Sequence, residues 1–245
     1  MSSRSKSAKS DRDAISGVLR EMERTSSFVS DLDGTLCHGR LTAGGMGFRY
    51  LDNDVSWPWN AHNYPRALRG IIGIAKIKFM LKKGAATAET DGIKLLYDIL
   101  VQNGLGERSE MLRYAWDYML SHKIDSVVKL VANIPENKFR IIATLAGSTG
   151  AQVAKSHLDF HDFVSNIDTF DARDRLTGIT ILMRTGEDKA RCVGDELIRK
   201  GLHLKRSAVI GDGPGDIPML MEAKVKIASP DAKPEVLAIP GIMRL

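Results

Sequence analysis

Cysteine and long apolar runs are both scarce in this sequence of 245 residues. The two cysteines, Cys37 and Cys192, are too few for the disulfide framework of a small secreted protein, so we expect reduced thiols. No uncharged apolar run approaches the length of a membrane span. The polar stretch Ser2–Arg12 has no apolar segment behind it of the kind found in signal peptides. Together these scarcities predict a cytoplasmic protein.

Clustered charge is also lacking, because the net charge of +5 is spread along the chain. A protein that binds nucleic acid typically concentrates its basic residues. We therefore expect no nucleic-acid partner, although a mild positive excess suits an anionic small molecule. Apolar residues make up 43% and charged residues 27% of the chain, which is ordinary for a soluble globular protein. The length allows one large domain or a core with a smaller one, and no internal repeat is visible.

One stretch, Phe28–Leu36, combines a short apolar run with two aspartates, a glycine and a threonine. The run is too short for a stable helix and is bounded by turn residues, which predicts a buried strand. Asp31 and Asp33 therefore follow the carboxyl end of a strand, where open α/β sheets bind ligands. In continued strand geometry the two side chains would point the same way. Two like charges side by side repel each other, and this repulsion favours a hard divalent cation bound through oxygen.

Two later stretches repeat this pattern. Phe139–Ala143 is an apolar strand that ends at Thr144, and Ala208–Ile210 runs into a glycine-rich loop with two further aspartates. Three such strand ends side by side would form one pocket for a metal ion and a phosphate group. The side chains gathered there would be those of Asp31, Asp33, Thr144, Asp212 and Asp216.

Lys189, on the first turn of a predicted helix, lies between the second and third of these strand ends. With it, the ordered motifs resemble those of the haloacid dehalogenase superfamily of hydrolases. The long insertion between the first two motifs resembles the cap of the phosphoserine-phosphatase-like branch. The motifs are Asp31-Leu32-Asp33-Gly34-Thr35, Thr144, Lys189, and Gly211-Asp212 followed after three residues by Asp216.

The resemblance implies an α/β fold, a Rossmann-like doubly wound parallel sheet with a smaller helical cap domain. It implies a tail and helix at 1–24, a hydrolase core at 25–37 plus 136–245, and a flap and helical cap at 38–135. The core strands predicted to come last are Ala208–Ile210 and Val225–Ile227.

The resemblance also implies hydrolysis of a phosphate ester through an aspartyl-phosphate. Asp31 would be the nucleophile, Asp33 the general acid and base, and Thr144 and Lys189 would bind the phosphate. Lys189 would also hold Asp31 ionised. The implied cofactor is Mg²⁺, with Asp33 contributing its backbone carbonyl as in the family. The metal site would comprise Asp31, Asp33, Asp212 and Asp216.

Three departures widen the choice of substrate. The phosphoserine branch usually has serine and glycine where this chain has Thr144-Leu145, and asparagine where it has Gly215. Its substrate-binding glutamate and arginine have no clear match in the cap. We therefore expect a small phosphorylated metabolite, without naming it. A phosphotransferase or mutase shares the same chemistry and stays open, as does a non-catalytic binding protein on this scaffold, while the oligomeric state is left undecided.

Helical spacing of apolar residues predicts the remaining elements. A capping Ser10 should start a short N-terminal helix that docks on the core. In the insertion, basic residues surround the apolar stripe of the predicted helix Pro65–Lys83. We interpret them as a solvated face rather than a membrane-binding surface. We interpret Trp57 and Trp59 as hydrophobic side chains that pack between cap and core. Further helices are predicted at 89–103, 107–122 and 123–133, and a hairpin at 167–183 turns at Asp174.

Overall fold

The computed structural model describes the backbone of residues 3–38, 93–94, 97–98, 100–102 and 106–245, with side chains from residue 12 onwards. Most of the predicted flap, the helix Pro65–Lys83, and the residues Trp57 and Trp59 lie outside the described residues. Among the residues described, no helix is long and apolar enough to cross a membrane.

A six-stranded sheet forms the centre of the protein, in the order β3-β2-β1-β6-β7-β8, with every neighbouring pair parallel. Strands β4 and β5 form a separate antiparallel hairpin. This is the predicted Rossmann-like α/β fold. The strands are β1 (Ser27–Ser30), β2 (Phe139–Ala143), β3 (Asp162–Val164), β4 (Ile167–Phe170), β5 (Leu176–Thr180), β6 (Ser207–Gly211), β7 (Val225–Ala228) and β8 (Ile242–Arg244).

Helices cover both faces of the sheet, because successive side chains of a strand point to opposite faces. Phe28 of β1 faces a core lined by α1 to α4, and its neighbour Val29 faces a second core lined by α5 to α7. The helices are α1 (Ser3–Met22), α2 (Arg108–His122), α3 (Asp125–Ala132), α4 (Ser148–His157), α5 (Gly186–Arg199), α6 (Ile217–Glu222) and α7 (Pro234–Leu237), with single 3-10 turns at Leu204–Arg206 and Pro214–Asp216.

The end of the predicted cap segment packs against the sheet. Met119 of α2 and Leu130 of α3 are fully buried in the same core as Phe28 of β1. Helix α1 docks there too, through Val18 and Met22, as the sequence predicts. The division into core and cap at residue 135 is not tested by these contacts and stays a prediction.

Two predicted boundaries are wrong. Helix α1 begins at Ser3 rather than at Ser10. No glycine or proline interrupts residues 3–10, so a helix anchored by its buried carboxyl half can extend through them. The sheet also does not end at β7, because the three-residue strand Ile242–Arg244 pairs with it. A run this short carries too little alternation to be detected from sequence.

The hairpin turns at Asp174, as predicted, where φ is +57°. Asn166, just before β4, ties the hairpin to the loop after β2. Its fully buried amide donates to the carbonyl oxygens of Leu145 and Met183, at 2.5 and 3.2 Å. Its carbonyl oxygen accepts from the backbone amides of Leu182 and Met183, at 2.8 and 2.9 Å. One side chain thus satisfies backbone groups from two separate segments.

Replacing Asn166 with alanine should therefore leave several buried backbone groups unpaired. We expect Asn166→Ala to lower the free energy of unfolding by about 3 kcal/mol, measured by urea denaturation. Asn133→Ala is the matched control, since the exposed Asn133 amide makes a local hydrogen bond to Lys129 O. That control should change stability by about 0.5 kcal/mol or less. Equal effects of both substitutions would contradict the role given to Asn166.

Candidate active site

The carboxyl ends of three adjacent strands meet at one edge of the sheet. Ser30 of β1 pairs with Ile142 of β2 on one side and with Ile210 of β6 on the other. Asp31 directly follows Ser30, and its backbone amide donates to the carbonyl oxygen of Ile210 at 3.1 Å. The residues after β1, β2 and β6 therefore lie together, as the sequence predicts.

The strand does not continue beyond Ser30. The chain turns instead, with the amide of Leu36 donating to Leu32 O at 2.9 Å. The relation between Asp31 and Asp33 is therefore set by this turn and not by strand geometry. Asp31 is buried, whereas Asp33 is half-buried. A shared direction of the two side chains, expected from an extended strand, has no basis in this turn.

Gly34 lets this turn pack directly against Asp212. Its φ is +82°, which favours glycine, and a Cβ atom here would lie 2.5 Å from Asp212 Oδ2. The hydroxyl of Thr35 donates to Asp212 Oδ1 at 3.4 Å, and the Ser229 hydroxyl donates to Gly34 O at 2.9 Å. The first and last motifs are thereby held in contact.

Lys189 joins two of the carboxylates. Its ammonium group donates to Asp31 Oδ1 at 2.5 Å and to Asp216 Oδ1 at 2.6 Å. All three side chains are almost completely buried. Lys189 is placed by the first turn of α5, whose N-terminus is capped by the Thr185 hydroxyl accepting from the amide of Asp188.

Asp216 also holds the loop that carries Asp212. Its second oxygen, Oδ2, accepts from the backbone amides of Asp212 and Gly213, each at 3.0 Å. Gly211 gives this carboxylate room, because a Cβ there would lie 2.5 Å from Asp216 Cβ. Both oxygens of Asp216 therefore have protein partners, Lys189 on one side and the loop amides on the other.

Thr144 follows β2 and is 2% exposed. Its backbone amide donates to Val164 O at 3.0 Å, and its hydroxyl oxygen accepts from the amide of Ala146 at 3.1 Å. A hydroxyl that accepts in this way keeps its own proton for donation to a ligand. The structure thus places Thr144 at the same sheet edge as Asp31, as the sequence predicts.

The chain matches the family of haloacid dehalogenase-like hydrolases over residues 25–224. It belongs to this family. The protein is therefore a hydrolase of the haloacid dehalogenase type, and the match spans Asp31, Asp33, Thr144, Lys189, Asp212 and Asp216. No curated protein matches the chain significantly in sequence.

Solved structures share the fold at low sequence identity. A protein of unknown function from Bordetella pertussis is 17% identical, with a TM-score of 0.67 over 89% of this chain and 97% of its own. A phospho-aspartyl intermediate analogue of phosphoserine phosphatase is 16% identical, with a TM-score of 0.58 over 89% and 92%. A cytosolic 5'-nucleotidase IIIB bound to cytidine is 15% identical, with a TM-score of 0.58 over 95% and 84%.

The site carries more negative than positive charge. Burial and the neighbouring charge of Asp216 raise the pKa of Asp31 well above 3.8, and the attraction of Lys189 is too weak to reverse this. Burial and Asp216 also raise the pKa of Asp212 to about 6, although Lys233 and Lys189 oppose the shift. Burial and Asp216 outweigh Lys189 in setting the pKa of Asp31, and the expectation that Lys189 holds Asp31 ionised stays a prediction.

The ammonium group of Lys189 itself stays charged. Burial lowers its pKa, but the charges of Asp216 and Asp31 outweigh burial and leave the pKa above its usual value. Three carboxylates thus share one buried ammonium group, and oxygen atoms of Asp31, Asp212 and Asp216 all lie within 4.8 Å of one another. A site of oxygen donors with excess negative charge fits a hard divalent cation.

Two buried residues near this site were not recognised from the sequence as polar partners. Helical spacing gives Tyr97 an apolar position in the predicted helix 89–103, yet its hydroxyl donates to Asp168 at 2.5 Å. Asp168 occupies a buried position of β4, where a carboxylate requires partners. An aspartate at an inward position of an alternating strand is the signal that would have found the pair.

The raised pKa of Asp212 predicts that the stability difference between the wild type and Asp212→Asn depends on pH. A folded-state pKa of about 6 against 3.8 in the unfolded chain means that ionised Asp212 destabilises the fold. This cost is absent below about pH 4, develops as the pH rises to 6, and stays constant above. Asp212→Asn removes it. Without divalent cations, we expect the variant to exceed the wild type in melting temperature at pH 7.5 but not at pH 4.

The measurement is differential scanning fluorimetry of both proteins across this pH range with a chelator present. Asp162→Asn is a control, because Asp162 lies on β3 and pairs with Lys200 at 3.4 Å, outside the cluster. A stability difference for Asp212→Asn that does not depend on pH would show that Asp212 ionises normally in the folded protein.

Proposed function

We propose that this protein is a Mg²⁺-dependent phosphatase that hydrolyses a small phosphomonoester through an aspartyl-phosphate on Asp31. The observation that carries the proposal is the buried contact between Lys189, Asp31 and Asp216 at the carboxyl edge of the sheet. Lys189 fixes one oxygen of Asp31, and the other oxygen would make the attack. A carboxylate held in one orientation is a better nucleophile than a mobile one.

The reaction then has two steps. One oxygen of Asp31 attacks phosphorus, and the bond from phosphorus to the leaving oxygen breaks while Asp33 gives that oxygen a proton. Water next attacks phosphorus and loses a proton to Asp33 while the bond from phosphorus to the Asp31 oxygen breaks. Phosphate is released, Asp31 returns to the carboxylate and Asp33 to the carboxylic acid. Thr144 and Lys189 donate hydrogen bonds to the phosphoryl oxygens as charge develops on them.

The metal site would use Asp31 and Asp212, the backbone carbonyl of Asp33, and Asp216. When bound, Mg²⁺ supplies the positive charge that Lys189 alone does not provide and neutralises phosphate oxygens. Both carboxylate oxygens of Asp216 already have protein partners. This favours a role for Asp216 in holding the Asp212 loop and Lys189, with any metal contact made through its remaining lone pairs or through water.

Structures of the same fold include a phosphoserine phosphatase and a 5'-nucleotidase, which supports a small phosphorylated metabolite as the substrate. We therefore propose a screen of phosphoserine, nucleoside 5'-monophosphates, sugar phosphates and an aryl phosphate.

The test of the proposed function is phosphate release with Mg²⁺ and with a chelator. We expect turnover only with the metal. A silent panel with Mg²⁺ present would contradict the proposal, and phosphate passed to an added alcohol or sugar rather than to water would favour a phosphotransferase.

Substitution of the two aspartates should separate their roles. Asp31→Asn keeps the shape but removes the nucleophile, so activity should fall to background while the fold survives. Asp33→Asn should retain the nucleophile and lose about a hundredfold or more in rate. With a good leaving group, the second variant should accumulate phospho-enzyme, detectable as a mass increase of the intact protein.

The contrast between the two variants is the control. Phospho-enzyme should never form in Asp31→Asn, whatever the leaving group. Substantial turnover by Asp31→Asn would rule out the covalent mechanism and leave direct attack by water as the alternative. Circular dichroism of both variants verifies that any lost activity does not come from unfolding.

A further inference from the structure

Asp168 is a buried carboxylate with a complete set of hydrogen-bond donors. It is 6% exposed. Its Oδ1 accepts from the hydroxyl of Tyr97 at 2.5 Å. Its Oδ2 accepts from the amide and the hydroxyl of Thr149, at 2.7 and 2.5 Å, and from the Ser148 hydroxyl at 3.4 Å. A buried carboxylate with this many donors is fixed in position.

These contacts cap helix α4 from a distance. The N-cap residue is Gly147, which has no side chain to accept from the free amides of the first turn. Asp168 of β4 takes that place by accepting from the amide of Thr149, and its own amide donates to the Ser148 hydroxyl at 3.1 Å. The beginning of α4 is therefore fixed to the hairpin.

The pair of Tyr97 and Asp168 packs directly on the backbone of Gly147. A Cβ atom there would lie 2.0 Å from Asp168 Oδ1 and 2.1 Å from the Tyr97 hydroxyl. Gly147 is only three residues beyond Thr144, whose hydroxyl accepts from the amide of Ala146. The two side chains thus contact the loop that carries the proposed phosphate-binding threonine.

Tyr97 comes from the inserted segment rather than from the core. It is 1% exposed and packs with Leu100, Met111 and Leu176 in a cluster separate from the two main cores. Burial and then the charge of Asp168 raise the pKa of Tyr97 well above 10, and Asp33 adds a smaller contribution.

We propose that Tyr97 and Asp168 are positioning residues for the phosphate-binding loop, and that their hydrogen bond makes the inserted segment set the place of Thr144. The inference rests on the proposed phosphatase function and adds residues that do not themselves touch phosphate. A packing role alone would be met by phenylalanine, whereas the buried hydroxyl needs its partner on Asp168. The loop is otherwise held by Asn166, through Leu145 O.

The test is Tyr97→Phe, which removes one hydroxyl group and keeps the ring. With Mg²⁺ and an aryl phosphate as substrate, kcat should fall about tenfold, because a displaced Thr144 stabilises the transferring phosphoryl group less well. Orthovanadate mimics a phosphoryl group during its transfer. Its inhibition constant should rise by about the same factor. The melting temperature should fall by no more than a few degrees.

Tyr118→Phe is the matched control, because it also removes a single tyrosine hydroxyl, one that donates to His38 O at 3.0 Å. It should leave kcat and vanadate inhibition unchanged. Asp168→Asn should lose at least as much as Tyr97→Phe, because it also weakens the cap of α4. The double variant should be little worse than Asp168→Asn alone, since the Tyr97 hydroxyl acts through Asp168.

Unchanged kcat and vanadate inhibition in a folded Tyr97→Phe protein would overturn the inference, as would strictly additive losses in the double variant. Vanadate binding is also measured as a rise in melting temperature, and this measurement needs no turnover. A wild type that binds vanadate but hydrolyses no phosphate ester would contradict the proposed function alone, and the effect of Tyr97→Phe on vanadate binding would still decide the positioning role.

Discussion

The charge balance around Lys189 is the constraint on which the rest of the site depends. Burying two carboxylates and half-burying a third beside one ammonium group is unfavourable without further positive charge, because each ion loses hydration. This unfavourable burial occurs where the strands β1 and β6 end. It raises the pKa values of Asp31 and Asp212. The fold thus presents a site with excess negative charge whose hydrogen bonds are already made.

Backbone geometry makes this crowding possible. The glycines Gly34 and Gly211 each stand where a Cβ atom would lie 2.5 Å from a carboxylate residue of the site. The parallel register of β1 with β2 and β6 then brings loops from distant parts of the chain to one edge. Preorganisation of this kind spares reorganisation of the charged groups during reaction.

The parts of the fold that follow from sequence are those with local signals. The apolar run of β2 and its end at Thr144 are found as predicted, and so are the turn at Asp174 and the helix that carries Lys189. Strand β8 is too short to carry a pattern. The pKa of Asp31 depends on burial and on Asp216, far away in sequence, so composition and spacing could not reveal it.

The contact between Tyr97 and Asp168 shows what local patterns in this sequence cannot reveal. The motifs at Asp31, Lys189 and Asp212 indicate the chemistry because they occur together and in order. Tyr97 lies in the insertion, where helical spacing marks it only as an apolar position, and its partner is 71 residues away. A hydrogen bond between two such distant residues leaves no local pattern, so only the folded chain shows that the insertion contacts the start of α4 beside Thr144.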